Sequence, residues 1–199
     1  MSNINTIHSS ARKERIKVAQ PEEMLSDRTT LRDSAAADGT RHNDIRLRAY
    51  ELYVQRKQQP DRAMDDWLLA ERERNKALVL QAFDTLFNKR DYAAAERFWS
   101  SNYIQHSAHI EPGREGLFNL IKSLPPTLKY EPGTIVAEGD FVIVHGRFSG
   151  FGQPVNWIAS DIVRIKDGVL AEHWDVIQDE AGRQESKSGR PMFGDGFSK

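Results

Sequence analysis

The chain has no cysteine, which excludes a disulfide, a thiolate metal site and a cysteine nucleophile, and agrees with a reducing compartment. It has almost no net charge: 28 Lys and Arg against 29 Asp and Glu leave −1, so there is neither a basic excess for nucleic acid nor an acidic tail. It has no apolar run of about 18 residues, so no membrane span is expected. Met1 to Ser10 show no basic stretch followed by apolar residues; no secretory signal is read, and the cytoplasm is the expected location. Three catalytic signatures are missing as well. A Gly-rich phosphate loop, a Gly-x-Ser-x-Gly elbow and a dinucleotide fingerprint are all absent, which argues against nucleotide-dependent chemistry. Residues 1–43 lack aromatics and hold few large aliphatics. Such a segment buries too little apolar surface to offset its conformational entropy, so disorder is expected there, with a weak helical pattern over Ala11–Val18.

What is present suits one domain with an appendage. The 199 residues are 39% hydrophobic and carry four Trp, five Tyr and nine Phe, enough for a well-formed core. Ile45, Ala49, Leu52 and Tyr53 recur at helical spacing until Pro60 stops the run. Asp61 is placed to cap a second helix bearing Met64, Trp67, Leu68 and Glu71, and the pair reads as a helical hairpin over 44–74. No breaker separates that helix from Leu78, Val79, Ala82, Phe83, Leu86 and Phe87, a broad apolar stripe ending near Lys89. Asp91 can cap a short helix through Trp99, Tyr103–His106 reads as a short strand, and Arg114–Ser123 as a third helix stopped by Pro125-Pro126. Beyond Leu128 the period becomes strand-like. Tyr130–Ala137, Phe141–Phe148, Val155–Lys166 and Val169–Gln178 are four strands, separated by Gly139-Asp140, Gly150–Pro154 and Asp167-Gly168. Helices followed by an antiparallel run predict an α+β fold with the helices on one face of a curved sheet. Residues 181–199 read as a loose tail whose Met192, Phe193 and Phe197 could dock on a pocket mouth or a partner subunit.

The chemistry concentrates in the last strand. Period-two alternation puts Val169, Ala171, His173, Asp175 and Ile177 on one face and Leu170, Glu172, Trp174 and Val176 on the other. Two titratable groups on an otherwise apolar face are costly to bury, so that face reads as a pocket wall. The same alternation sets Asp161 beside Trp157, Ala159 and Val163. An antiparallel sheet brings Asp161, His145, His173 and Asp175 onto one concave face if the registers permit, and sequence does not fix those registers. Plain readings stand beside these. His145 is equally a hydrogen-bonded core or rim histidine, Asp161 a bulge cap, His106 a junction residue and His109 a surface loop residue. Trp99, Trp157 and Trp174 read as core or pocket walls. His106-x-x-His109 has the spacing of half a zinc site, but such pairs are common by chance and no metal is expected.

Tyr103-Ile-Gln-His106, Glu115-Gly116, Glu138-Gly-Asp-Phe-Val-Ile-Val-His145, Asp161-Ile-Val-Arg164 and Asp167-Gly-Val-Leu-Ala-Glu-His-Trp-Asp175 together resemble the SnoaL-like polyketide cyclase family. That family lies within the nuclear transport factor two-like (NTF2-like) superfamily, and the branch most resembled is that of predicted aldol-condensation enzymes. The likeness covers about Asn75 to Phe193. Separately, Ile45–Tyr53 with Asp66–Glu73 resembles a short bacterial helical module of unknown function.

The resemblance implies a cone-shaped α+β barrel over 75–180, with three helices packed on a curved, mostly antiparallel sheet, preceded by the hairpin and followed by the tail. It implies acid/base chemistry inside the cone without a cofactor. An aspartate, matched here by Asp175, moves a proton at the carbon beside a carbonyl, and the enolate closes a ring by intramolecular aldol addition. His173 stands beside it, His106 and Asp161 line the same cavity, and a neutral histidine or Gln105 could donate to the enolate oxygen. Tyr103, Gln105, His145, Trp99 and Trp157 are the candidate substrate contacts. The implied partner is a small hydrophobic or carbonyl-containing molecule. A homodimer is expected through the outer face of the sheet, with Leu170, Val176 and Val142 as its candidate surface. Two other functions suit the same residues: a non-catalytic binding or dimerisation module, and an epoxide-type hydrolase in which Asp161 and Asp175 activate water. Geometry separates them. An open apolar cavity with unpaired Asp175 and His173 fits the first, a collapsed cone with those groups locked together fits the second, and two carboxylates bridged by a common partner fit the third.

Overall fold

The computed structural model describes residues 39, 42–58 and 61–197. The disorder expected for 1–43 and the Ala11–Val18 pattern fall outside these residues, apart from positions 39, 42 and 43. Helix α1 (42–55) and helix α2 (Ala63–Phe83) form the expected hairpin. It is held by charge more than by apolar burial. Arg56 grips the Asp66 carboxylate with two prongs (Nε–Oδ1 2.8 Å, Nη2–Oδ2 2.5 Å), and Arg48 Nε reaches Glu73 Oε2 at 2.7 Å. Ile45 is buried, whereas Leu47, Tyr50, Met64 and Leu68 remain exposed. The expected Asp61 cap does not form. Arg62 occupies the N-cap position without a side-chain cap bond, while Asp61, one residue too early, takes a left-handed φ of 67° that turns the chain.

With no Gly or Pro to interrupt it, α2 runs unbroken from the hairpin into the core, across the 74/75 junction drawn from the sequence. Its last turns bury Val79, Ala82 and Phe83, and a π-helical turn, Asp84–Asn88, extends it to bury Leu86 and Phe87. Asp91 caps the short α3 (Tyr92–Ala95) as expected, accepting from the Ala94 N–H at 3.0 Å. Strand β1 (Trp99–Gln105), helix α4 (Gly113–Ser123) and strands β2 (Lys129–Glu138), β3 (Phe141–Ser149), β4 (Trp157–Lys166) and β5 (Val169–Asp179) complete the chain. Asp167 and Gly168, at φ 52° and 78°, supply the tight turn that joins β4 to β5.

The strands form one curved, unclosed sheet in the order β1-β5-β4-β3-β2, parallel only between β1 and β5. This is the expected α+β arrangement, and its two edge strands, β1 and β2, do not pair. The helices pack on its concave face. Val142, Val144 and Gly146 of β3 and Ala159, Asp161, Val163 and Ile165 of β4 point inward and are buried. Strand β5 does not alternate as expected. Its register with β4 passes from Arg164↔Glu172 to Ile165↔Leu170, so Ala171 is an extra residue in a bulge. The bulge resets the phase. Leu170 therefore joins His173 and Asp175 on the inner side and is fully buried, as is Val142; neither lies on the outer surface where a dimer contact was expected. Val176, at 68% exposure, does.

Side chains tie the helices to the sheet. Asn88 accepts from the Tyr130 N–H (2.8 Å) and donates to the Tyr130 carbonyl (3.1 Å), standing in for a neighbouring strand at the β2 edge. Arg90 donates to the Ile121, Leu124 and Pro125 carbonyls at 2.6, 3.0 and 2.9 Å, closing the C-terminal end of α4. In the tail, Phe193 lies not at the pocket mouth but on the outer face of its own sheet, over Gly133, with the His145 ring 5.7 Å away and the Arg147 guanidinium at 4.9 Å. Among the described residues, no helix is long and apolar enough to cross a membrane.

Candidate active site

Between the helices and the concave face lies a cavity of about 180 Å³. One side is apolar, built by Phe83 and Phe87 from the end of α2, Leu117, Ile121 and Leu124 from α4, and Phe148 from β3. The polar side comes from the sheet: Asp161 of β4, His173 and Asp175 of β5 and Tyr103 of β1. Pairing puts these groups together. Asp161 sits directly opposite Asp175, Val163 opposite His173, and Gln105 beside His173 in the parallel ladder.

His173 is held from both sides. Its Nδ1 lies 2.9 Å from Gln105 Oε1, and its Nε2 lies 3.1 Å from Asp161 Oδ1. The Gln105 amide can be oriented unambiguously, because the Ser107 N–H, which can only donate, is 2.9 Å from the same Oε1. Oε1 is therefore an acceptor, so Nδ1 of His173 carries a proton. One further proton must then lie between Nε2 and Asp161 Oδ1, on the ring or on the carboxyl. Burial pushes the Asp161 carboxyl up, and the nearby charge of Asp175 pushes the same way, against the downward pull of His173 and of Tyr130; burial is the largest of these. Both upward effects favour the proton on oxygen.

Tyr130 completes the network. Its ring crosses β3 over Gly146, where a Cβ would stand 2.5 Å from the Tyr130 hydroxyl and Cε2; only glycine leaves room. The hydroxyl thereby comes within electrostatic reach of Asp161, and both it and Asp161 Oδ2 are buried without a hydrogen-bond partner among the described residues. Burial pushes the Tyr130 and Tyr103 hydroxyls far above their ordinary range, so both are proton-bearing. Asp175 differs from all of these. It is half-buried, it faces the cavity, and among the described residues its carboxylate has no hydrogen-bond partner.

Of the expected site residues, Asp161, His173, Asp175, Tyr103 and Trp157 line the cavity, and Gln105 stands behind His173. Trp99 is core, edge-on to Phe118 at 5.5 Å. Two histidines fall on the opposite face. With Tyr103 and Gln105 turned inward, alternation carries His106 outward, where it stacks on Trp174 (4.7 Å, 2° between planes) and meets Glu172 Oε1 at 2.8 Å. His145 lies outward because Val144 and Gly146 point in. The converse error concerns His109, set aside as a surface residue: it lines the cavity, 6.1 Å from the Trp157 ring. The His106-x-x-His109 pair is thus split between two faces. No group of three potential metal ligands occurs among the described residues. Sequence reasoning missed Tyr130 altogether, although a glycine in mid-strand at 146 signals a close approach.

Residues 79–173 match the SnoaL-like domain family. That stretch is a SnoaL-like domain. Residues 40–73, which comprise α1 and the first half of α2, match a family described as a protein of unknown function (DUF2934). A candidate ketosteroid isomerase from Kribbella flavida DSM 17836 shares the fold, with a TM-score of 0.51 at 18% identity over 64% of this chain and 98% of its own. AclR, a candidate hydroxylase from Streptomyces galilaeus, is 28% identical over 52% of this chain and 88% of its own, with a TM-score of 0.43. IdmH, a candidate polyketide cyclase from Streptomyces antibioticus, is 19% identical over 52% and 91%, also at 0.43. No curated protein matches the chain. The SnoaL-like domain supplies nearly every cavity wall; Asp175 and Ile177 lie just beyond its matched end.

Proposed function

We propose that the SnoaL-like domain catalyses proton transfer at a carbon beside a carbonyl, without a cofactor, in the manner of an aldol-type cyclase, lyase or isomerase. The observation that carries this reading is the Asp175 carboxylate, unpaired on the wall of an apolar cavity and one strand from a carboxyl that burial drives toward its neutral form. A base needs a free lone pair within reach of substrate, and Asp175 has one. The developing enolate needs a donor. His173 and Gln105, expected in that role, are engaged with each other, with Asp161 and with the Ser107 N–H. In this reading Tyr103 takes it instead, since the residue lines the cavity and burial keeps its hydroxyl protonated.

The test is hydrogen–deuterium exchange at the α-carbon of a probe ketone in deuterated buffer. One positioned base is worth about 10²–10⁴-fold, so Asp175→Asn should lose on that order of the rate with its thermal midpoint little changed. Exchange by the native protein at the buffer rate would sink the proposal. A binding module of the same fold is the second reading, favoured by the two engaged nitrogens of His173; saturable binding without exchange would select it. The hydrolase alternative lacks its bridge, because His173 spans Asp161 and Gln105 rather than Asp161 and Asp175.

Self-association through the outer face of the sheet belongs to the same proposal. Ile104, Phe141, Ile143 and Val176 expose large apolar side chains there. Light scattering at micromolar concentration should give a dimer mass, and a clean monomer would count against it.

A further inference from the structure

We infer that the cavity selects an uncharged carbonyl compound of one ring and rejects fused polycycles and anions; the inference rests on the proton-transfer reading for the carbonyl but not for the size or charge. The size limit comes from volume. An apolar cavity of roughly 150 Å³ holds a single benzene ring, and this one measures about 180 Å³. Its walls are poorly placed to retreat. Phe87 is locked edge-on against both Phe83 (5.1 Å) and Phe148 (5.3 Å), and close-packed aromatic clusters do not yield a ring's width without repacking. On the other flank, α4 is pinned at its C-terminal end by the three Arg90 hydrogen bonds, which fixes the approach of Leu124.

The charge limit comes from the lining. Among the described residues it contains no Lys and no Arg; of its two histidines, His173 has both ring nitrogens engaged by Gln105 and Asp161, which leaves His109 against the two carboxyl groups of Asp161 and Asp175. A carboxylate or phosphate on the ligand would be desolvated without a Lys or Arg partner and set beside Asp175. Polarity is also uneven, with Tyr103, Asp161, His173 and Asp175 on the sheet facing Phe83, Leu117 and Ile121 of the helices, and, among the described residues, only Ser107, His109 and Gln153 adding polar groups from the loops. A compact ring bearing one polar edge matches that division; a ligand polar all round does not.

The test uses the full chain, titrated with acetophenone, acetylnaphthalene, acetylanthracene and acetylbenzoate by calorimetry, with thermal midpoints alongside. Even one misfitting methylene in an apolar pocket is worth roughly tenfold or more, so each added ring should weaken binding by at least about that factor. The anionic acetylbenzoate should bind at least about tenfold less tightly than acetophenone for want of a cationic partner. Leu124→Ala enlarges the apolar wall and should recover acetylnaphthalene selectively. If acetylanthracene or acetylbenzoate binds the native protein as tightly as acetophenone, or if acetophenone does not bind, the inference is overturned, whatever the variant does. The chemistry fails separately: acetophenone that binds but exchanges its methyl protons no faster than with Asp175→Asn leaves the selectivity standing and removes the catalytic reading.

Discussion

Replacing Asp161 with asparagine isolates the question of where the shared proton sits. In the native protein Asp161 is 4% exposed, Oδ1 faces His173 Nε2, and Oδ2 is buried without a hydrogen-bond partner among the described residues, with the Tyr130 hydroxyl in electrostatic reach of the carboxyl. If the carboxyl is protonated and donates to Nε2, an asparagine amide reproduces that contact: its NH₂ donates to Nε2, and its oxygen takes the place of Oδ2. One neutral hydrogen bond is then exchanged for another, so stability below about pH 4 should change by no more than about 1 kcal/mol, and at pH 7 the variant should be more stable than the native protein. If the proton is on the ring, the substitution removes the anion of a buried ion pair and leaves an imidazolium uncompensated, which costs about 3–5 kcal/mol. The pH dependence gives a second criterion. A carboxyl whose pKa is raised on folding contributes stability that is complete below its unfolded value, near 3.9, and is lost as pH rises through the folded value. Asparagine has no such loss, so the variant should gain on the native protein as pH increases. Urea unfolding followed by tryptophan fluorescence, repeated between about pH 4 and 9, measures both effects. A loss of about 3 kcal/mol or more at pH 7, or a gap widening in favour of the native protein toward high pH, would refute the assignment. Exchange catalysis is expected to survive, because Asp175 is untouched.

Two further substitutions probe the frame that positions the site. Gly146→Ala sets a methyl 2.5 Å from the Tyr130 ring and hydroxyl, and should destabilise by about 1–3 kcal/mol in denaturant titrations; in a Tyr130→Ala background the penalty should shrink, since the two positions share one contact. Arg90→Ala removes three charge-assisted hydrogen bonds from the end of α4 and should cost about 1.5–3 kcal/mol by the same assay. An unchanged midpoint there would mean that α4 is held by apolar packing alone.

The frame was legible because it follows from period and punctuation. The stripe from Leu78 to Phe87, the Asp91 cap and the turns at Gly139 and Asp167-Gly168 are local features, and local features decide where elements begin and end. The facing of Asp161 with His173 and Asp175 followed from the same alternation once the registers aligned. Alternation fails where an extra residue enters the ladder. The bulge at Ala171 moved Leu170 to the core, and nothing in Val169-Leu-Ala-Glu distinguishes a bulged strand from a regular one.

The histidines show the same principle in its sharper form. Residues three apart share a face on a helix and oppose each other on a strand, so His106-x-x-His109 can act as a pair only if both belong to one helical turn. Here β1 ends at Gln105, yet the His106 N–H still bonds the His173 carbonyl at 2.9 Å, so His106 keeps strand parity and points away from Gln105. The chain then leaves the sheet toward α4, and that excursion, not any period, returns His109 to the cavity. Parity explains why His106 is outside, and a loop path explains why His109 is inside. Tyr130 needed a third kind of information: a large side chain on one strand reaches the next but one only where the strand between them carries no side chain. That condition links Tyr130, Gly146 and Asp161 across three strands. It becomes visible in the sequence only when Gly146 is read for the contact that it permits rather than as a weak strand residue.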